Sequence, residues 1–276
     1  MRSRSGLRRT SSAAALLLTL VAWGQDQRPL PRGAPEVFIP TAPRVHVRAH
    51  EELDPDRLRD LARPGVTLWL STRSNTLRTS TVENVARFEV AWVQLRAPLA
   101  PFDASVFSKQ MPAAGALLEP GALGLVGRVR RVAVSLKGPL DEALVARVSA
   151  ARPAEVRWSP DGPVDLLTWG QFRQLPGRRV IVASPQTLLP VKCEGRSSAD
   201  PSIELHVASL LALSSDAYPC GTGNRVVVQP EVETWLLQSL LVRDPSVELV
   251  VDVGADSARA LAARGLFDRL QLGAAR

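Results

Sequence analysis

The chain has 276 residues, 45% of them hydrophobic and 22% charged, enough apolar sequence for one substantial core and too much for a chain disordered throughout. Its formal charge is +7, but Arg2, Arg4, Arg8 and Arg9 stand ahead of the first long apolar stretch and leave +3 for the remainder. No run of basic residues interleaves with aromatics to track a phosphate backbone, so no nucleic-acid partner is expected.

The N-terminus divides into three regions. Arg2 to Arg9 is positive, Ala13 to Trp23 is apolar, and Ala22-Trp23-Gly24 places small residues where a signal peptidase inspects the chain, so residues 1–24 are predicted to be a signal peptide cleaved before Gln25. The apolar run is about half the roughly 20 residues needed to span a bilayer, and no later segment is long enough, so no membrane span is expected after signal removal; a retained N-terminal anchor is the alternative. The expected address is therefore periplasmic or extracellular. Residues 25–43, with Pro29, Pro31, Pro35, Pro40 and Pro43, form a linker ahead of a single α/β repeat domain at 44–276. Within the linker and just after it, Val37-Phe38-Ile39 and Val45-His46-Val47 can dock as edge strands.

From there the pattern is regular. Strand-length runs begin at Val66, Val90, Val132, Glu155, Arg179, Ile203, Arg225, Val247 and Leu270, each rich in β-branched or aromatic residues. Between them stand helix starts. Asp54-Pro55 precedes Leu58 and Leu61; Pro139 precedes Leu140, Leu144, Val145 and Val148 at helical spacing; Pro163 and Pro230 open two more; Asp256 precedes Ala258 to Leu266. Most strands restart after roughly 21 to 25 residues, with one gap of about twice that around Pro98 to Gly127.

Strands and helices alternating at a fixed period imply parallel strands with helices outside them. A closed (β/α)-barrel-like form is favoured, because Val226-Val-Val228 and Val180-Ile-Val182 have no polar face and suit a sheet covered on both sides. The alternative is an open horseshoe. Val129, Val132 and Val134, and again Phe267, Leu270 and Leu272, resemble leucine-rich-repeat spacing, yet the asparagine expected beyond each strand is replaced by Lys137, Asp161 and Pro185. If 184–224 is an insertion pinned by a disulfide between Cys193 and Cys220, eight strands remain from Val66 to Leu272.

Ligands of parallel sheets sit at the carboxyl ends of the strands, so the candidates are Ser71, Lys137, Asp161, Ser184, Glu231 and Asp252. Asp161, Glu231 and Asp252 are the trio that would supply one protonated and one ionised carboxyl to a glycosidic bond; the competing role for each is to cap a helix. Lys137 is a turn lysine or a Schiff-base amine, and Cys220-Gly-Thr-Gly223-Asn224 reads as a tight turn. His206, beside Glu204, is a half-buried sheet residue or a pocket residue. Trp69, Trp92 and Trp158 fill the sheet core or stack on a sugar, while Trp169 and Trp235 pack helices on the sheet. His46, His50 and His206 with two cysteines make no metal set, and no cofactor-binding pattern is present. The expectation is an exported, non-catalytic binding or envelope-associated protein with a possible glycan or protein ligand; the alternative is a hydrolase of extracellular or envelope carbohydrate.

Overall fold

The fold is set by ten parallel strands that close on themselves. A computed structural model describes residues 42–96, 101–184, 187–189, 200–206 and 223–272. The predicted signal peptide, nearly all of the linker, and Cys193 and Cys220 with their expected bridge lie outside the described residues.

The strands are β1 (Val45–His50), β2 (Val66–Ser71), β3 (Val90–Leu95), β4 (Gly115–Leu118), β5 (Val132–Lys137), β6 (Glu155–Ser159), β7 (Arg178–Ala183), β8 (Ser202–His206), β9 (Arg225–Val228) and β10 (Glu248–Gly254). Each pairs with its sequence neighbour, and β1 closes the ring on β10 through Val45↔Leu249, His46↔Val250 and Val47↔Val251. That pairing removes both sheet edges and overturns the open horseshoe.

The count of eight strands is corrected to ten. β1 is the closing strand rather than an edge. β8 lies within 184–224 yet stands in the ring between β7 and β9, so that stretch contributes a full strand. β4 fills the long gap and escapes recognition because Gly115-Ala-Leu-Leu118 is short and carries no β-branched residue. Leu270 to Leu272 is no strand, because Leu270 caps the C-terminus of the last helix.

Seven α-helices are described: α1 (Pro55–Asp60), α2 (Thr79–Val85), α3 (Pro101–Gln110), α4 (Glu142–Ala151), α5 (Leu166–Arg173), α6 (Thr234–Arg243) and α7 (Ser257–Arg269). A 3-10 segment, Pro120–Arg128, covers the β4–β5 connection. Their starts follow from local chemistry. Asp54, Asp141, Asp165 and Asp256 each accept hydrogen bonds from first-turn amides that have no partner inside the helix.

Side chains alternate across each strand, so each contributes one set to the helix layer and one to the lumen. The outward set is apolar: Val45 and Val47 on β1, Leu68 and Leu70 on β2, Leu249, Val251 and Val253 on β10, all at most 1% exposed. They pack against Leu58, Val148, Phe172, Leu237, Leu266 and Phe267 from the helices, forming an annular core. Each such side chain contributes about 1.5–3 kcal/mol by leaving water. Trp158 belongs to this outer layer, its ring 5.1 Å from Phe172. Trp169 is buried as expected, whereas Trp235 is 55% exposed and does not seal a helix against the sheet.

Candidate functional site: a charged lumen

An eight-strand barrel has an interior that ordinary side chains just fill, and diameter grows with strand number. Ten strands therefore need longer inward side chains, or water, to occupy the axis. The inward positions meet that need with arginine, glutamate and tryptophan: His46 and Arg48 on β1, Trp69 on β2, Trp92 on β3, Glu155 and Arg157 on β6, Arg178 on β7, Glu204 on β8, Arg225 on β9 and Glu248 on β10. Four of their pairings, Arg225 with Glu155, Arg178 with Glu248, and Arg157 and Arg48 with Glu204, join strands that are not neighbours in the sheet and so cross the lumen.

Two linked clusters result. At the amino ends of the strands, Arg225 donates to both oxygens of Glu155 at 2.6 and 2.8 Å and through Nε to Glu248 at 3.1 Å. Arg178 donates to Glu248 at 2.9 Å and to the Gly223 carbonyl at 2.7 Å. His46 completes the cluster, its Nε2 lying 2.7 Å from Glu248 while its Nδ1 accepts from the Trp69 indole N–H at 3.1 Å. Because the indole only donates, Nδ1 is unprotonated and the proton sits on Nε2. Further along the axis, Glu204 accepts from Arg157 at 3.0 and 2.9 Å and from Arg48, and lies 2.9 Å from His206 Nε2. Trp69 touches both clusters. The Arg157 and Arg225 guanidiniums stand 5.2 and 5.7 Å from its ring centroid, and Trp92 stacks on it at 5.6 Å.

Gly115 is required by this stack. A Cβ there would lie 2.3 Å from two atoms of the Trp92 ring.

Burial raises the proton affinity of a carboxyl, but here the guanidiniums win. Burial pushes Glu155 up, yet the Arg225 charge and hydrogen bonds hold it below its ordinary value. Glu204 is likewise pushed up by burial and brought well below the usual range by Arg157, the His206 hydrogen bond and Arg48. Glu248 is lowered against its burial by hydrogen bonds from His46 and Arg178. His46 moves down from 6.5 to about 4, because desolvation and the Arg225 charge outweigh the bond to Glu248. Arg157 falls to about 10, mainly through burial, with Arg48 and Arg225 opposing the pull of Glu204. The lumen is thus a set of ionised pairs around a neutral imidazole.

A cavity of about 390 Å3 opens at the amino-end mouth of the barrel. Its inner wall is Glu155, Glu248, Arg225 and His46; its rim carries Arg44, Arg131 and Glu89. The expectation that ligand space lies at the carboxyl ends finds a smaller match, a cavity of about 200 Å3 beside Glu51, Glu52 and Thr81 after β1 and β2.

The residues singled out from the sequence fall elsewhere. Asp161 is exposed after β6, with its carboxylate 3.0 Å from where a Cβ on Gly138 would stand. Glu231 is exposed in the turn after β9, and Asp252 is exposed on β10, in register with Arg48. None of the three lines either cavity. None is a helix cap either; Asp165, Glu233 and Asp256 hold those positions. Lys137 ends β5 exposed, Ser71 donates to the Ala49 carbonyl at 3.2 Å, and Ser184 pairs with Thr187 at 3.1 Å. His206 faces the lumen. Trp69 and Trp92 share a stack there, but Trp158 lies on the opposite face, so the three do not form one platform.

The arginine and glutamate network was missed at the sequence level, although Val-His-Val-Arg-Ala-His at 45–50, Glu-Val-Arg-Trp-Ser at 155–159 and Ile-Glu-Leu-His at 203–206 put charge at every second place. Among the described residues, no group of His, Cys, Asp and Glu is arranged to hold a metal ion, and no helix is long and apolar enough to cross a membrane. No known protein family matches the chain, and a search of curated proteins finds no match.

Proposed function

We propose that this is an exported, non-catalytic binding protein whose barrel lumen is a preorganised polar site. One observation carries the reading: the lumen carboxylates Glu155, Glu204 and Glu248 are committed to guanidinium partners and held ionised. Acid-assisted cleavage of a glycosidic bond needs a carboxyl that keeps its proton near the working pH. Paired groups of this kind instead fix a rigid wall, and a rigid wall beside an open cavity lowers the ordering cost of binding. The export half of the reading rests on the N-terminal sequence pattern.

Two measurements test it. Incubation with chromogenic glycosides over the acid to neutral range is expected to give no turnover above the buffer blank for the natural chain or for the combined Asp161→Asn, Glu231→Gln and Asp252→Asn variant. Turnover abolished in that variant, or in Glu204→Gln, would establish the carbohydrate hydrolase instead. Expression with a C-terminal tag in a Gram-negative host is expected to yield, outside the cytoplasm, a chain whose mass corresponds to a start at Gln25, with Cys193 and Cys220 resistant to alkylation until a reductant is added. A full-length cytoplasmic product with both thiols reactive sinks the export reading.

A further inference from the structure

The amino-end cavity combines an inner wall whose charges are hydrogen-bonded to one another with a rim whose charges, among the described residues, have no hydrogen-bonded ion pair. We infer that this cavity binds a small organic anion, a carboxylate or phosphate ester with an apolar body, held at the rim by Arg44 and Arg131. This inference rests on the binding reading above and names its ligand class.

The argument is one of unused valence. Four guanidiniums, those of Arg44, Arg131, Arg178 and Arg225, face three carboxylates, those of Glu89, Glu155 and Glu248. Both oxygens of Glu155 are taken by Arg225, and Glu248 is taken by Arg178, Arg225 and His46. Glu155 and Glu248 are thus turned inward and saturated, which leaves Glu89 as the one described carboxylate of the rim against Arg44 and Arg131. Arg44 is 78% exposed and stands 3.8 Å from Glu248, beyond hydrogen-bond range. Arg131 lies 5.0 Å from the Trp92 ring centroid, and among the described residues it has no ion pair. Both offer planar N–H forks that match a carboxylate or phosphate.

The remaining wall is mostly apolar, with Val66, Val90, Ala154 and Trp92 beside the single hydroxyl of Thr67. A ligand with charge at one end and hydrocarbon at the other satisfies both surfaces. An ammonium would find only Glu89, on the opposite side of the charge balance.

The probes are three naphthalene derivatives of equal body and different charge: 2-naphthoate, 2-naphthalenemethanol and 2-naphthylmethylamine. Titration of the full-length chain, followed by calorimetry and tryptophan emission, is expected to show naphthoate binding at least about tenfold tighter than the alcohol, with the amine weakest. Arg131→Gln and Arg44→Gln are rim substitutions outside the buried pairs and are expected to fold normally. Each should weaken naphthoate about tenfold and leave the alcohol unchanged, while Glu89→Gln should tighten naphthoate severalfold. Equal affinity for naphthoate and alcohol, or naphthoate affinity untouched by both arginine variants, overturns the anion assignment but leaves a binding cavity. No heat, emission change or thermal shift with any of the three probes overturns the cavity as a binding site as well.

Discussion

The annular layer between strands and helices and the lumen inside the strands are both buried, yet they are built by opposite chemistry. In the annulus, Val, Leu and Phe interlock through contacts that have no direction, and many residues share the load. In the lumen, a few long side chains are joined by directional bonds, and each depends on a named partner. Burial alone therefore does not say how a region responds to change; the pairing pattern does.

The largest test sets one residue from each region side by side. Phe172→Ala is expected to lower unfolding free energy by about 3–5 kcal/mol through the cavity it leaves. Arg225→Met is expected to lower it by about the same amount, because it strands Glu155 without a partner. The two should separate in the double variants. Arg225→Met with Glu155→Met should recover much of the loss, since the pair is removed whole, and urea denaturation of the four-member cycle reads the coupling. A double variant as unstable as the sum of its singles would put the lumen under the same rules as the annulus.

The next effect is acid sensitivity confined to the lumen. His46 takes up its proton at about 4 when folded and near 6.5 when unfolded. The unfolded chain therefore binds protons first, and stability falls as pH drops from about 6.5 to about 4, by up to about 3 kcal/mol at 1.4 kcal/mol per unit. Glu248 acts in the same direction at lower pH, because its folded value is depressed and its stabilisation is lost as it protonates. His46→Gln keeps a donor for Glu248 and should flatten the upper part of that slope in thermal melts. An unchanged slope would place the titrating group elsewhere.

A smaller effect probes how tightly the indole stack is packed. Gly115→Ala should cost about 1–3 kcal/mol and shift tryptophan emission, because Trp92 must move off the strand to admit the methyl group. Wild-type stability and emission would show that the lumen can yield there.

The parallel repeat and the closed architecture are legible in the alternating apolar runs, but only some helix starts are: Pro55 opens α1, whereas Pro139, Pro163 and Pro230 stand three or four residues ahead of α4, α5 and α6, and α2 and α3 carry no start signal read from the sequence. Asp54 and Asp256 cap where the sequence places them. The strand number is not legible, since β4 has neither a β-branched residue nor a polar alternate, and the disulfide argument set β8 aside as an insertion. The site is legible only in hindsight. Charges at alternate places in β1, β6 and β8 look like a wet face until closure turns that face inward, and which arginine meets which glutamate depends on the circumference, a quantity no single strand encodes. Parallel sheets ordinarily take ligands at the strand carboxyl ends, whereas the larger described cavity here lies at the amino ends.

The β1–β10 seam has a consequence for assembly. His46 and Glu248 meet across 202 residues of chain, so the last hydrogen-bonded ladder needs almost the whole domain to exist before it can form. Until then the nascent sheet keeps two open borders, and its half-built interior holds arginines and glutamates still hydrated. Such a chain is expected to fold slowly, in a late concerted step where dehydration of the interior and joining of the borders occur together, and to be exposed to aggregation until that step is complete.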